Sequence, residues 1–178
     1  MVLVTTELEI LPAWTDLNGH MNVAYYVLAF DRATDTFYDA LGIGWDYLAR
    51  EQRSLFTLAM NVDYVHEVHA ASRVRIESRL LDHDAKRIHY YHEMFDAAGG
   101  WLAATNELLA MHVDMATRRN SPFAAATRER LTEMQAAHST LPRPARVGRA
   151  LGIRRPQNAG AAEPIRNRQT PPPRDRMA

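Results

Sequence analysis

WTDLNGHMNVAYYVLAFDRATDTFYDAL, residues 14–41, decides the fold of this chain. Asp16, Asn18, Gly19, His20 and Asn22 make its first third a polar loop, and an apolar periodic run follows. Val23, Tyr26, Val27, Phe30, Ala33, Thr34, Phe37 and Leu41 recur at three- and four-residue intervals, the spacing of one helical stripe. Asp31, Arg32, Asp35 and Asp39 fall mostly between them. Asn22 is placed to cap this helix and Gly42 to stop it. A helix with so wide an apolar face needs a greasy surface, which the rest of the chain supplies as sheet.

Outward from that stretch, residues 2–11 read as a strand ending at Pro12, and residues 43–52 (IGWDYLAREQ) as a short helical turn. Strand-like alternation then fills residues 54–64 and 72–81, with HEVHAA as the turn between them. Val74, Ile76 and Ser78 share one face, and Arg73, Arg75, Glu77 and Arg79 the other, so the sheet is antiparallel with one wet face. Residues 86–95 and 101–113 add two strands around an Asp96 to Gly100 hairpin loop. LLAMH has helical propensity, but its place after a Gly-Gly turn predicts strand. Ser121 and Pro122, in N-cap and N1 positions, predict a helix to about His138. Residues 1–138 therefore form one α+β domain, an antiparallel sheet wrapped around one long central helix. Its open sheet edges predict a homodimer or homotetramer.

The formal net charge is zero, yet nine arginines stand against Glu163 and Asp175 from residue 139 onward. The tail is thus +7, and the body, with 12 basic and 19 acidic side chains, is −7. Residues 139–178 hold seven of the nine prolines and few large apolar side chains, which predicts a solvated, disordered tail. It has no aromatic residue to stack a base and no apolar helical face to enter a bilayer, so neither nucleic acid nor membrane is an expected partner. No run approaches a membrane span and the start is unlike a signal peptide, so a cytoplasmic protein is expected. The absence of cysteine removes thiolate metal sites, iron–sulfur clusters and a thiol nucleophile.

Asp16-Leu-Asn-Gly19-His20-Met21-Asn22-Val-Ala-Tyr25-Tyr26 resembles the Asp, Gly-His, Asn, Tyr pattern of hotdog-fold acyl-CoA thioesterases of the 4-hydroxybenzoyl-CoA thioesterase type. The strand order supports the resemblance over residues 2–114 and leaves the tail uncovered. HMNVAYY, FYDALGIGWDYL and LLDHDAKRIHYYHEM are most similar to the betainyl-CoA thioesterases of carnitine catabolism, which occur alone or fused to carnitine dehydrogenase. The implied reaction is hydrolysis of an acyl-CoA to free acid and CoA, without a cofactor.

That reaction needs a nucleophile, or a base for water, and donors where charge develops on the carbonyl oxygen. Asp16 can attack directly or deprotonate water, while free amides at Val23 and Ala24 polarise the carbonyl; the resemblance assigns the oxyanion contact to Val23. Gly19 lets the loop turn tightly against substrate. His20 either donates to the thioester or holds the loop, and Asn22 enters the catalytic motif as a cap. Lys86, Arg87 and Arg53 are the candidate CoA-phosphate cations, with Arg118 behind them. A betainyl group would need an aromatic cage, for which Trp14, Tyr25, Tyr26 and Trp45 are candidates and Asp31 a source of charge.

The paired histidines His66/His69 and His89/His92 fall in strand or turn, where i and i+3 point apart, so no metal site is expected. No serine-hydrolase elbow, Walker loop or dinucleotide fingerprint occurs. Two alternatives remain: a hotdog enoyl-CoA hydratase built on Asp16, Asn18 and His20, although Gly19 stands where that motif has proline, and a non-catalytic acyl-CoA-binding module.

Overall fold

The computed structural model of the chain describes residues 3–153. In chain order it contains β1 (Val4–Glu9), a 3-10 turn (Pro12–Trp14), α1 (Val23–Leu41), α2 (Trp45–Glu51) and β2 (Arg53–Tyr64). Next come β3 (Arg73–His83), β4 (Arg87–Asp96), β5 (Leu102–Asp114), β6 (Arg119–Asn120) and α3 (Ala125–Ser139). Antiparallel pairing orders the strands β1-β3-β4-β5-β2, and the short β6, not expected from the sequence, pairs with β5. The sheet wraps around α1, the arrangement expected of a hotdog fold.

The ends of α1 follow their residues. Asn22 Oδ1 accepts from the Ala24 N–H at 3.0 Å, and Gly42 closes the helix in the left-handed region at φ 72°. Tyr26, Ala29, Phe30, Ala33, Thr34, Phe37 and Leu41 form the buried stripe. Val23, expected on that stripe, is 59% exposed, and Val27 is half-buried. Each lines a cavity, Val23 with Tyr26 and Tyr64 and Val27 with Met60 and Leu108, and Ala29 takes a buried position on the stripe.

Alternation sets the other face of the core. Val74, Ile76, Ser78 and Leu80 of β3 are buried, with half-buried or exposed charged neighbours between most of them. One apolar cluster gathers Ile10, Trp14, Met21, Val68, Val74, Ile76 and Met94 around the first half of α1. A second joins Phe37, Leu41, Ile43 and Tyr47 to Ile88, Tyr90, Leu131 and Met134, so α3 covers the sheet beyond the second half of the helix. An extra residue at Leu81 breaks the β3–β4 register, and the Leu80 N–H beside it donates to His138 Nδ1 of α3 at 3.0 Å.

Two expectations are corrected here. The final helix begins at Ala125, not at Ser121, because tertiary contacts hold residues 119–123 outside it. Ser121 donates its N–H to the His112 carbonyl and accepts from His112 Nδ1, β6 pairs with β5, and Phe123 is buried with its N–H on the Ala85 carbonyl. The segment after residue 139 is also not wholly free. Arg79 donates to the Pro142 carbonyl, Arg146 and Arg149 reach Asp63 at 3.1 and 3.2 Å, and the Gly148 N–H donates to Glu107 at 2.7 Å. Acids on the outer face of the sheet, Asp63 and Glu107, hold this segment where apolar burial is lacking. Residues 154–178 of the expected tail lie outside the described residues.

One polar group is locked into the core. Thr34 Oγ1 donates to the Phe30 carbonyl and so accepts from His92 Nε2 at 3.0 Å, which leaves His92 Nδ1 to accept from Ser78 Oγ at 2.8 Å. Burial pushes this imidazole from an ordinary value of 6.5 down to about 3. Because the unfolded chain takes up the proton first, the stability is complete above about pH 6.5 and falls as pH drops toward 3. The expected slope is about 1.4 kcal/mol per pH unit. His112, pushed down chiefly by burial, adds to it. Urea unfolding between pH 7 and 4 should show this loss, and His92→Gln should be less stable at pH 7 with a flatter profile; an unchanged profile would remove His92 as its source.

Candidate active site

The polar loop of residues 15–21 folds as a tight hairpin. A bridge pairs Thr15 with Met21, the Asp16 N–H donates to the His20 carbonyl at 2.9 Å, and the Gly19 N–H to the Asp16 carbonyl at 3.0 Å. Gly19 has φ +79°, which a side chain would strain. The hairpin's second arm is clamped to the β2–β3 connection: His20 bridges His69, and the Met21 N–H donates to the Val68 carbonyl at 2.7 Å. The Asn22 N–H then bonds the Trp14 carbonyl, so chain direction and helix start are fixed together.

This rigid entry leaves one backbone donor. Asn22 Oδ1 takes the Ala24 N–H, which corrects the expectation of two free amides, while the Val23 N–H has no partner among the described residues. It sits at the positive end of a 19-residue helix with no acidic side chain in its first turn. Val23 lines an open cleft of about 470 Å³ with His20, Met21, Tyr26, Tyr64 and Glu67. Burial raises the Tyr26 and Tyr64 phenols, which therefore stay neutral.

The structure sorts the expected residues into groups. Asp16, Gly19, His20, Asn22 and Val23 form one continuous turn and cap. Asp16 is exposed and is not among the described residues that line the cleft, its Oδ1 accepting the Asn18 N–H at 2.8 Å. His20 Nε2 faces Glu67 at 3.2 Å, a partner that sequence spacing did not reveal. His66 and His69 do point apart, to the Leu102 and Gly19 carbonyls, and His89 and His92 likewise. Among the described residues, His20, Glu67 and His69 do bring three potential ligand atoms within 4.8 Å of one another, a set formed across the hairpin.

The expected cage does not assemble. Trp14 and Tyr25 stack at 5.6 Å, and the Arg32 guanidinium already lies 5.1 Å over the Trp14 ring. Trp45 and Asp31 line a different cavity, with Asp35 and Tyr38; Asp31 is eight residues from Val23, or roughly 12 Å along the helix. Tyr26 alone joins the cleft. The CoA-phosphate candidates are also elsewhere. Lys86 is bonded to Asn120, Arg87 to Asp84 and Arg53 to Asp114, all at the sheet end where Arg53 pairs with Asp114. The cleft is at the Tyr64 end of β2, roughly 35 Å away. Sequence reading missed Tyr64, Glu67 and Met21; period-two alternation does carry Met60, Val62 and Tyr64 along one face of β2.

Asn22 should matter to stability as well as position. Asn22→Ala is expected to lower unfolding free energy by about 1 kcal/mol, with Asn22→Asp much closer to wild type because its carboxylate also caps. Chemical denaturation of the two variants measures this, and equal losses would contradict the capping role.

Residues 10–131 match the family model of the Thioesterase-like superfamily. A betainyl-CoA thioesterase of Pseudomonas aeruginosa is 36% identical over 152 residues, which cover 85% of this chain and 96% of that protein. An L-carnitine dehydrogenase/betainyl-CoA thioesterase of Ruegeria pomeroyi is 37% identical over 129 residues, 71% of this chain but 26% of that longer protein. Among solved structures, hypothetical protein SAV2348 from Staphylococcus aureus, in complex with CoA, superposes with a TM-score of 0.80 at 24% identity, covering 86% of this chain and 98% of that one. A proposed thioesterase from Pseudomonas putida KT2440 gives 0.75 at 30% identity, covering 87% and 99%. The family model spans the hairpin, α1 and every strand after β1, and on that match the chain belongs to the Thioesterase-like superfamily, with the hotdog fold.

Proposed function

We propose that the chain hydrolyses betainyl-CoA to betaine and CoA. The observation that carries the reaction is the unpartnered Val23 N–H at the positive end of α1, opening on a cleft beside the Asp16 hairpin. A thioester carbonyl bonded there would be polarised, and the negative charge of the tetrahedral intermediate would fall on a fixed donor and helix dipole. Asp16 supplies either the attacking carboxylate, giving an anhydride that water opens, or the base that deprotonates water. Glu67, with a carboxylate oxygen 3.2 Å from His20 Nε2, lies against the imidazole on the hairpin. The betainyl acyl group is favoured by the Pseudomonas aeruginosa relative, matched along nearly its whole length. The hydratase alternative needed Asp16, Asn18 and His20 to converge, whereas Asn18 is spent on the Asp16 turn and His20 turns to Glu67.

A second protomer completes this reading. Among the described residues strand β2 pairs only with β5, and Phe56, Leu58 and Met60 are 37%, 52% and 46% exposed along it. Antiparallel pairing of two such edges about a two-fold axis would place the Arg53 end of one protomer beside the Tyr64 end of the other. The distant cations would then approach the cleft in trans. Leu58→Lys is expected to shift the protein toward monomer in sedimentation velocity, and an unchanged oligomer would discard the β2 edge.

Thiol release from betainyl-, acetyl-, phenylacetyl-, 4-hydroxybenzoyl- and medium-chain acyl-CoA tests the reaction. Wild type should prefer betainyl-CoA, and Asp16→Ala should lose about 10²-fold or more in kcat. Hydrolysis of another acyl group would keep the reaction and discard betainyl-CoA; no thiol from any of them would discard the reaction.

A further inference from the structure

We infer that the cleft walls formed by Tyr26, Tyr64, Met21 and Glu67 are a quaternary-ammonium receptor, and that selectivity for the cationic acyl group resides in them. The inference rests on the thioesterase reading above.

Distance selects the place. In a betainyl thioester the nitrogen is two bonds from the carbonyl carbon, about 2.5 Å. With the carbonyl on the Val23 N–H, the cation must lie within the first turn of α1. Tyr26 is one turn from Val23, and both line the same cleft. The acids and the tryptophan of the Asp31–Trp45 cavity begin two turns farther on, out of reach of so short an acyl group.

Chemistry selects the same walls. A trimethylammonium has no N–H to donate, so it is recognised by aromatic faces and nearby negative charge. Tyr26 and Tyr64 meet edge to face, centroids 5.2 Å apart at 84°, which presents two differently oriented rings to one space. Tyr26 is buried and its hydroxyl donates to the His66 carbonyl at 3.5 Å, so the ring is held. The Met21 thioether adds a polarisable wall. Glu67, at the rim, brings the only carboxylate among the described lining residues.

Occupancy separates this aromatic pair from its neighbour. The Trp14–Tyr25 stack already carries Arg32. No lysine or arginine is among the described residues lining the Tyr26–Tyr64 cleft. The chain fills one aromatic pair with its own cation and leaves the other, buried Tyr26 with exposed Tyr64, on the cleft beside the oxyanion donor.

The test compares betainyl-CoA with 3,3-dimethylbutanoyl-CoA, in which a tert-butyl group replaces trimethylammonium at nearly equal shape without charge. Wild type should favour betainyl-CoA in kcat/KM by about tenfold or more. Glu67→Gln and Tyr64→Leu should each lower that ratio several-fold, mainly through KM for betainyl-CoA, while Tyr64→Phe, which keeps the ring, should retain it. A wild-type preference that survives both Glu67→Gln and Tyr64→Leu would overturn the receptor. Equal hydrolysis of the two substrates by wild type would overturn it while leaving the thioesterase standing, and hydrolysis of neither would overturn the receptor together with the betainyl-CoA reading, the acyl-CoA panel deciding the reaction itself.

Discussion

Burial of the α1 stripe on the concave sheet is the interaction on which the rest of this molecule depends. Tyr26, Phe30, Phe37 and Leu41 are each removed from water, and a large apolar side chain contributes roughly 1.5–3 kcal/mol when fully buried. Small residues pack among them: Ala29 and Ala33 on the helix and Ala103 and Ala104 on β5 are fully buried in the cluster around the first half of α1. With the helix seated along its whole length, its N-terminus has one place to be. The Val23 amide is then fixed relative to Tyr64 at the end of β2 and to Val68, whose carbonyl holds the hairpin. Site geometry is thus a consequence of packing far from the site.

Apolar contact alone would let the helix slide. Thr34, His92 and Ser78 prevent this: Ser78 holds the His92 ring within the sheet, and the buried Nε2 loses its bond to Thr34 if α1 moves one residue against β3 and β4. Tyr47 and Ser121 do the same for His112, tying α2 and the β6–α3 link to β5. Both networks are histidine-centred and buried, so the domain's specificity of packing carries a pH dependence.

The fold was largely legible because it is written in periodicity. The α1 stripe, the Asn22 and Gly42 ends and the alternation of Val74, Ile76 and Ser78 each depend on residues near in sequence. Ser121-Pro122 misled because its capping signal competes with contacts to His112 and Ala85, which no local pattern announces. The site was half legible for the same reason. Asp16 to Val23 is one continuous segment and was read as such. Glu67, Tyr64 and Met21 meet through the bridge of His20 to His69, a pairing of residues nearly fifty positions apart. Trp14 and Tyr25 have the composition of a cation site and were assigned one; that their cation is Arg32, from two turns up the same helix, is a fact of three dimensions.

The acidic body and basic tail meet along β2. Asp63 holds Arg146 and Arg149, and the Asn61 amide donates to the Arg149 carbonyl at 3.1 Å. Each partly exposed ion pair contributes only about 0.2–1 kcal/mol, so the arm is held by many weak contacts. Their position matters more than their sum. Asn61 and Asp63 point to the outer face of the strand, and Val62 and Tyr64 between and beyond them point to the helix side. An edge strand has a neighbour on one flank only, and β2 carries one wall of the cleft at its end. The arm thus clasps the outer face at that end, on the side of the strand opposite the cleft.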